Sequence, residues 1–181
     1  LLRMRSLETL IRTILLSITV TIGSVIIALP LAWLTVRTDL PLRRTWTVIL
    51  ILPLVIPSYV GAFVVVSAFG PAGMIQQAFF DPINMGQIPA VSGFLGASLT
   101  LIFLSYPYVL LNSRTALYGL DPALEETSRS LGHNRLSTFF RVILPQMRPA
   151  IASGSLLVAF YTISDFGAVS IMRYEVFTYI I

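Results

Sequence analysis

The sequence lacks cysteine and lysine altogether, and His133 is its only histidine. Each absence removes a class of chemistry. Without cysteine there is no thiol nucleophile, disulfide or thiolate metal site. Without lysine there is no Walker A phosphate loop and no Schiff-base catalysis. One histidine rules out a histidine cluster for a metal and leaves no convincing Ser-His-Asp triad. Charge is also scarce. Only 11% of the 181 residues are charged, against about a quarter in a typical soluble domain. All twelve basic residues are arginine, the net charge is +4, and 56% of residues are hydrophobic. The arginines are not interleaved with aromatics as a nucleic-acid surface requires, so no nucleic-acid partner is expected.

Long apolar runs are what the chain does have. Runs of about 20 residues match the thickness of a bilayer, and four occur, at about 13–36, 46–69, 91–111 and 149–172. A fifth starts at 174–181. The expected fold class is therefore all-α: a polytopic transmembrane helix bundle forming one domain over 1–181. Pro53 and Pro57 remove backbone donors and are expected to kink or break the second run. Between them and the third run, "MIQQAFF" reads as a short amphipathic piece of a loop. If all four runs span, eight arginines (37, 43, 44, 114, 129, 135, 141 and 148) share the side that holds 113–148. Arg3, Arg5, Arg12 and Arg173 fall on the other. The basic side is cytoplasmic by the positive-inside rule, so the first residue lies outside, and the 181 residues are expected to be a fragment of a longer chain.

The polar interruption at 113–148 contains "EETSRSLGHNRLSTFFRVILP", Glu125 to Pro145. Asp121 is placed to cap a helix with Pro122 at its first position. Glu125 and Arg129 are spaced i,i+4 for an ion pair. Gly132 sits where a helix ends, and Asn134 can cap a second helix. In that second helix Leu136, Phe139, Phe140, Ile143 and Leu144 follow one apolar face, and Pro145 is expected to stop it. The segment thus reads as two short helices with a sharp corner. Read from the residues alone, it is either a docking element or an amphipathic hairpin on the membrane surface.

The stretch resembles the EAA loop of ABC-transporter permeases, whose pattern is Glu-Ala-Ala, three residues, Gly, nine residues, then Ile-x-Leu-Pro. Glu126, Thr127 and Ser128 occupy the first three positions, Gly132 follows, and Val142, Ile143, Leu144 and Pro145 close the pattern at the same spacing. Thr127, Ser128 and Val142 depart from it while staying small or β-branched. The stretches "LPLAWLTVRTDLPLRR", "LPLVIPSYVGAFVV", "SYPYVLL" and "YTISDFGAVSIMRYEVFT" extend the resemblance to permeases of the ferric-iron uptake family, across nearly the whole chain.

The resemblance implies a permease of the type I ABC importer kind in the bacterial inner membrane, with a cytoplasmic two-helix coupling loop. Its implied partners are two ATP-binding subunits, a periplasmic substrate-binding protein, the lipid bilayer, and a second permease half, fused or as a homodimer. The chain itself would be non-catalytic and hold no cofactor, ATP and Mg²⁺ being bound by the ATPase. The implied docking residues are Glu126, Thr127, Ser128, Leu131, Gly132, Val142, Leu144 and Pro145. Leu131 and the face of Phe139 and Phe140 would pack against the ATPase or the permease's own helices. Thiamine, polyamine, sulfate and phosphonate permeases share the loop and are alternatives to iron; a secondary transporter or channel is the alternative class. Within the spans, Asp165 is the one ionisable group well inside a run. With Tyr161 and Ser164 it offers hard oxygen donors suited to Fe³⁺ on a translocation path. An interhelical hydrogen bond is the other role open to it.

Overall fold

The computed structural model describes residues 2–70, 73–74 and 91–177, all helix and connection, with no strand among them. The elements are α1 (Leu2–Arg37), α2 (Arg43–Ile51) running into a 3₁₀ turn (Leu52–Val55), α3 (Ser58–Phe69), α4 (Gly93–Gly119), α5 (Pro122–Ser130), α6 (Arg135–Thr138), a π turn (Phe139–Ile143), α7 (Leu144–Ser164) and α8 (Gly167–Ile171). The readings of "MIQQAFF" as an amphipathic piece and of 178–181 as the continuation of a fifth run lie outside the described residues.

Among the described residues three helical stretches are long and apolar enough to cross a membrane: Ser6–Arg37, Gly93–Gly119 and Arg135–Ser164. The second run is a broken one. Arg43–Val55 and Ser58–Phe69 meet at 102°, around Ile56 and Pro57. Proline at 53 and 57 removes two N–H donors, which favours the tighter turn and then the break. Tyr106 Oη donates to the Leu50 carbonyl at 2.8 Å just before this break.

α4 is the central helix. It packs most extensively on α1, then on α7, and α3 and α8 close its N-terminal half. The α1 face toward it carries Leu16, Val20, Ser24, Ala28 and Ala32, a stripe repeating every four residues and almost wholly buried. Small residues in that stripe let backbones approach, as membrane helices require when lipid is as apolar as leucine. Ser24 Oγ meets Ser105 Oγ at 3.1 Å between the two helices. Gly154 does the same for α7: a Cβ there would lie 2.8 Å from the Val109 Cα. Gly96 is equally tight, against the Met172 sulfur. Gly93, by contrast, has open space around it. It takes φ +67° at the start of α4, where its N–H reaches the Met172 carbonyl at 2.7 Å.

Run boundaries differ from the apolar pattern, and α1 already starts at Leu2, well before the first run at about 13. The third helix continues to Gly119, so the first residues of the 113–148 interruption are the last turns of α4. Hydropathy falls before the helix does, because polar side chains here bond back to their own helix: Asn112 Nδ2 to the Tyr108 carbonyl and Thr115 Oγ1 to the Leu111 carbonyl. The fourth run, expected at 149–172, is instead part of a helix that starts at Arg135 and ends at Ser164. Pro145 does not stop it. The preceding π turn, with Leu144 N donating to the Phe139 carbonyl, widens the helix where a proline ring would otherwise strike the carbonyl four residues back.

Candidate functional site

Two regions carry polar chemistry. The first is the corner formed by α5 and α6. The Asp121 side chain accepts from the Ala123 N–H at 2.9 Å, and Pro122 fills the first turn. At the other end Gly132 adopts φ +88°. The His133 N–H reaches the Ser128 carbonyl and the Gly132 N–H the Arg129 carbonyl, the paired bonds of a Schellman motif. Asn134 Oδ1 then caps α6 by accepting from the Ser137 N–H at 2.8 Å. Local chemistry therefore makes a nine-residue helix with a defined corner.

The corner is fastened to the bundle by contacts the residue pattern does not announce. Ser128 is buried, and its Oγ meets Thr138 Oγ1 at 3.0 Å, joining α5 to α6. A hydroxyl where the resembled pattern has alanine is thus used as a tie. Phe139 packs edge-on against Trp33 of α1, ring centroids 5.1 Å apart. Glu125 pairs not with Arg129 but with Arg37, at the end of α1: Arg37 Nε stands 3.1 Å from Glu125 Oε1, at ion-pair distance without hydrogen-bond alignment. Arg37 Nη2 also donates to the carbonyls of Leu117 and Leu120, which close α4. Arg37 was visible in the sequence only as a charge flanking a span; no local spacing links it to Glu125.

What the corner shows to the outside is equally defined. Glu126, Thr127 and Leu131 are exposed, Leu131 at 74%. Val142, Leu144 and Pro145 are half-buried at the other end of the pattern, Ile143 is buried and Phe140 is 61% exposed. Of the expected apolar face, Phe139 and Ile143 therefore turn to the bundle, while Leu136 and Phe140 do not.

The second region lies at the far end of α7, beside the break between α2 and α3. Asp165 is extended, ends α7 and is buried; its Oδ1 accepts from the Ala168 N–H at 2.8 Å and so caps α8. Tyr161 and Asp165 share an open cavity of about 400 Å³ with Ser58, Ser164 and the turn 54–57. The rings of Tyr161 and Tyr108 approach to 5.8 Å. Among the described residues no basic side chain lines this cavity. Among the described residues no three His, Asp or Glu side chains gather as a metal cluster. At the same end of the bundle the Phe177 N–H donates to Thr13 Oγ1 at 3.0 Å.

Comparison with known proteins gives this arrangement a family. The family described as binding-protein-dependent transport system inner membrane component matches residues 23–174. The chain is 35% identical over 176 residues to the Fe(3+)-transport system permease protein FbpB 2 of Haemophilus influenzae, covering 97% of this chain and 31% of that one. It is 32% identical over 161 residues to the molybdenum transport system permease protein ModB of Escherichia coli, covering 87% and 69%. It is 30% identical over 159 residues to the sulfate transport system permease protein CysT of Salmonella typhimurium, covering 87% and 55%. The chain thus spans about a third to about two thirds of the length of these relatives. With its three bilayer-length helices and capped helical corner, it belongs to the family of binding-protein-dependent transport system inner membrane components.

Proposed function

We propose that this chain is the membrane-spanning core of a permease subunit in an ATP-driven importer, and that the α5–α6 corner docks on the ATP-binding subunit. The observation that carries the reading is the corner itself. It is a short, doubly capped helix with Glu126 and Leu131 exposed at its tip, yet its root is tied into α1, α4 and α6. An exposed tip suits a cleft on a partner, and a tied root suits a lever. Closure of two ATPase subunits on ATP would displace the corner as a rigid piece and rock the spanning helices between inward- and outward-open arrangements. Glu126, Thr127, Leu131 and Gly132 form the contact at the tip, Ser128 the internal tie, and Val142, Leu144 and Pro145 the continuation into α7. ATP and Mg²⁺ bind the partner, and this chain carries no catalysis. A second permease half completes the pathway, a periplasmic binding protein delivers substrate, and the arginine-rich end faces the cytoplasm.

Ferric iron is the substrate favoured by the second region. A carboxylate and a phenol at one cavity, with no basic lining residue among the described ones, attract a cation and repel an oxyanion. The relatives named for molybdenum and sulfate favour a second reading, an oxyanion carried by the same machinery. The two separate in one experiment: the full-length permease reconstituted in liposomes with its ATPase, and ATP hydrolysis measured with binding protein loaded with Fe³⁺, molybdate or sulfate. Stimulation by the iron-loaded form alone is expected. Stimulation by an oxyanion-loaded form would overturn iron and keep the importer; no stimulation by any loaded form, and no co-purifying ATPase, would overturn the importer.

A further inference from the structure

Two cavities of opposite character meet at Trp33 and Arg135. One is an apolar groove of about 570 Å³ between α1 and the helix through α6 and α7, with Val25, Leu29, Pro30, Phe139 and Phe140 among its walls. The other is a polar recess of about 100 Å³ that holds Arg37, Arg129, Arg135 and a single carboxylate, Glu125. Glu125 is already matched by Arg37. Arg129 and Arg135 line the recess and are exposed, and among the described residues neither has an acidic ion-pair partner.

We infer that the two cavities together bind one anionic phospholipid, an acyl chain in the groove and the phosphate on Arg129 and Arg135. Three features favour a lipid over other occupants. The groove starts beside the recess and follows α1 back from Leu34 to Val25, roughly 14 Å at 1.5 Å per residue, close to one leaflet of a bilayer core. The recess sits at the arginine-rich end, and the cytoplasmic leaflet is the anionic one. Planar guanidinium groups fit phosphate oxygens in a bidentate manner. A helix from a neighbouring subunit could fill the groove, but it would leave the two arginines unanswered. Because Arg129 lies on α5 and Arg135 begins α6, the bound headgroup would touch the corner proposed to dock the ATPase. The lipid site rests on the spanning orientation of α1 and not on the identity of the transported substrate.

The test uses the full-length permease in complex with its ATPase subunits, equilibrated in nanodiscs of phosphatidylcholine and phosphatidylglycerol in equal amounts. Lipid retained after mild extraction is then counted by native mass spectrometry. Phosphatidylglycerol is expected to be retained over phosphatidylcholine by on the order of tenfold. That preference should vanish in Arg129→Gln/Arg135→Gln, persist in part in Arg129→Lys/Arg135→Lys, and resist millimolar inorganic phosphate, which lacks the acyl chain. Assembly of each variant complex is read in the same preparation by size exclusion, so a folding failure is recognised, and the lysine pair then carries the test. Equal retention of both lipids by the parent, or an undiminished preference in the glutamine pair, would overturn the site. So would displacement by phosphate alone, or a disulfide from Phe140→Cys to a cysteine on another permease segment, which would place protein in the groove.

Discussion

Arg37 and Glu125 lie 88 residues apart in sequence and 3.1 Å apart in space. Through them the last turn of α1 is joined to the helix at the corner, and the same guanidinium holds the carbonyls that end α4. Both side chains are mostly buried, 17% and 22% exposed, so the pair is screened far less than a surface ion pair. Under the proposed docking, this pair would carry a movement of α5 to two spanning helices at once.

Removing either member leaves the other charged and short of a partner in a partly buried place. Arg37→Gln and Glu125→Gln are each expected to cost roughly 1–3 kcal/mol. The double substitution should cost less than the sum, by on the order of 1 kcal/mol, because the pair acts as one unit. A double-mutant cycle on thermal unfolding of the purified complex checks this, and strict additivity would show that the two side chains do not interact. In transport, Arg37→Gln should lower substrate moved per ATP hydrolysed more than it lowers ATP hydrolysis.

Gly132 has φ +88° and open space where a side chain would stand. Substitution there is a problem of backbone and not of crowding. Gly132→Val should cost roughly 1–2 kcal/mol by forcing a β-branched residue into the left-handed region, while Gly132→Asn should cost distinctly less. Gly132→Pro should do most harm, since it also removes the N–H that reaches the Arg129 carbonyl. The yield of co-purified ATPase subunit should fall in the order Asn, Val, Pro, with insertion into the membrane retained. Equal yields across the three would show that the corner's shape is immaterial to docking.

At Gly154 the opposite holds. The obstacle is the α4 backbone itself, 2.8 Å from an added Cβ at the Val109 Cα and 3.3 Å at the Tyr108 carbonyl. A backbone cannot swing away like a flexible side chain. Gly154→Ala is expected to destabilise by roughly 1–3 kcal/mol and Gly154→Leu by more, measured as the melting temperature of the complex. An unchanged melting temperature for Gly154→Leu would mean that α4 and α7 are not packed this closely.

Asp165 carries two possible roles that one pair of substitutions separates. Asp165→Asn keeps an oxygen able to accept from the Ala168 N–H and removes the charge; Asp165→Ala removes both. The cap is worth about 1 kcal/mol, so the alanine variant should lose stability and the asparagine variant little. If the carboxylate serves a cationic substrate, uptake should fall several-fold in both. Full uptake in Asp165→Asn would confine the residue to capping α8.

The residue pattern was informative where the determinants are local. Asp121, Pro122, Gly132 and Asn134 act within a turn of themselves, and each stands in the structure where its chemistry indicated. It was least informative where a distant element decides. The i,i+4 spacing of Glu125 and Arg129 satisfies helix geometry, but Arg37 approaches from another helix and takes the carboxylate. Nothing near Ser128 signals Thr138 as its partner. Pro145 reads as a stop because helix rules assume a regular turn before it, and the π turn at Phe139–Ile143 suspends that assumption. Asp165 read as a charge inside an apolar run; its backbone shows that the helix has ended there and a new one is being capped.

The central claim is that the tip of the α5–α6 corner sits on the ATP-binding subunit. The described segment has no cysteine, so a single Leu131→Cys substitution gives a clean anchor in this part of the chain for a short thiol-to-amine cross-linker applied to the full-length complex in native membranes. The account predicts a cross-link to the ATPase subunit from Leu131→Cys, strongly reduced when Glu126→Lys is added, and none from Glu175→Cys at the opposite end. A Leu131→Cys protein that cross-links only to lipid, or that a membrane-impermeant thiol reagent labels from outside the cell, would contradict it.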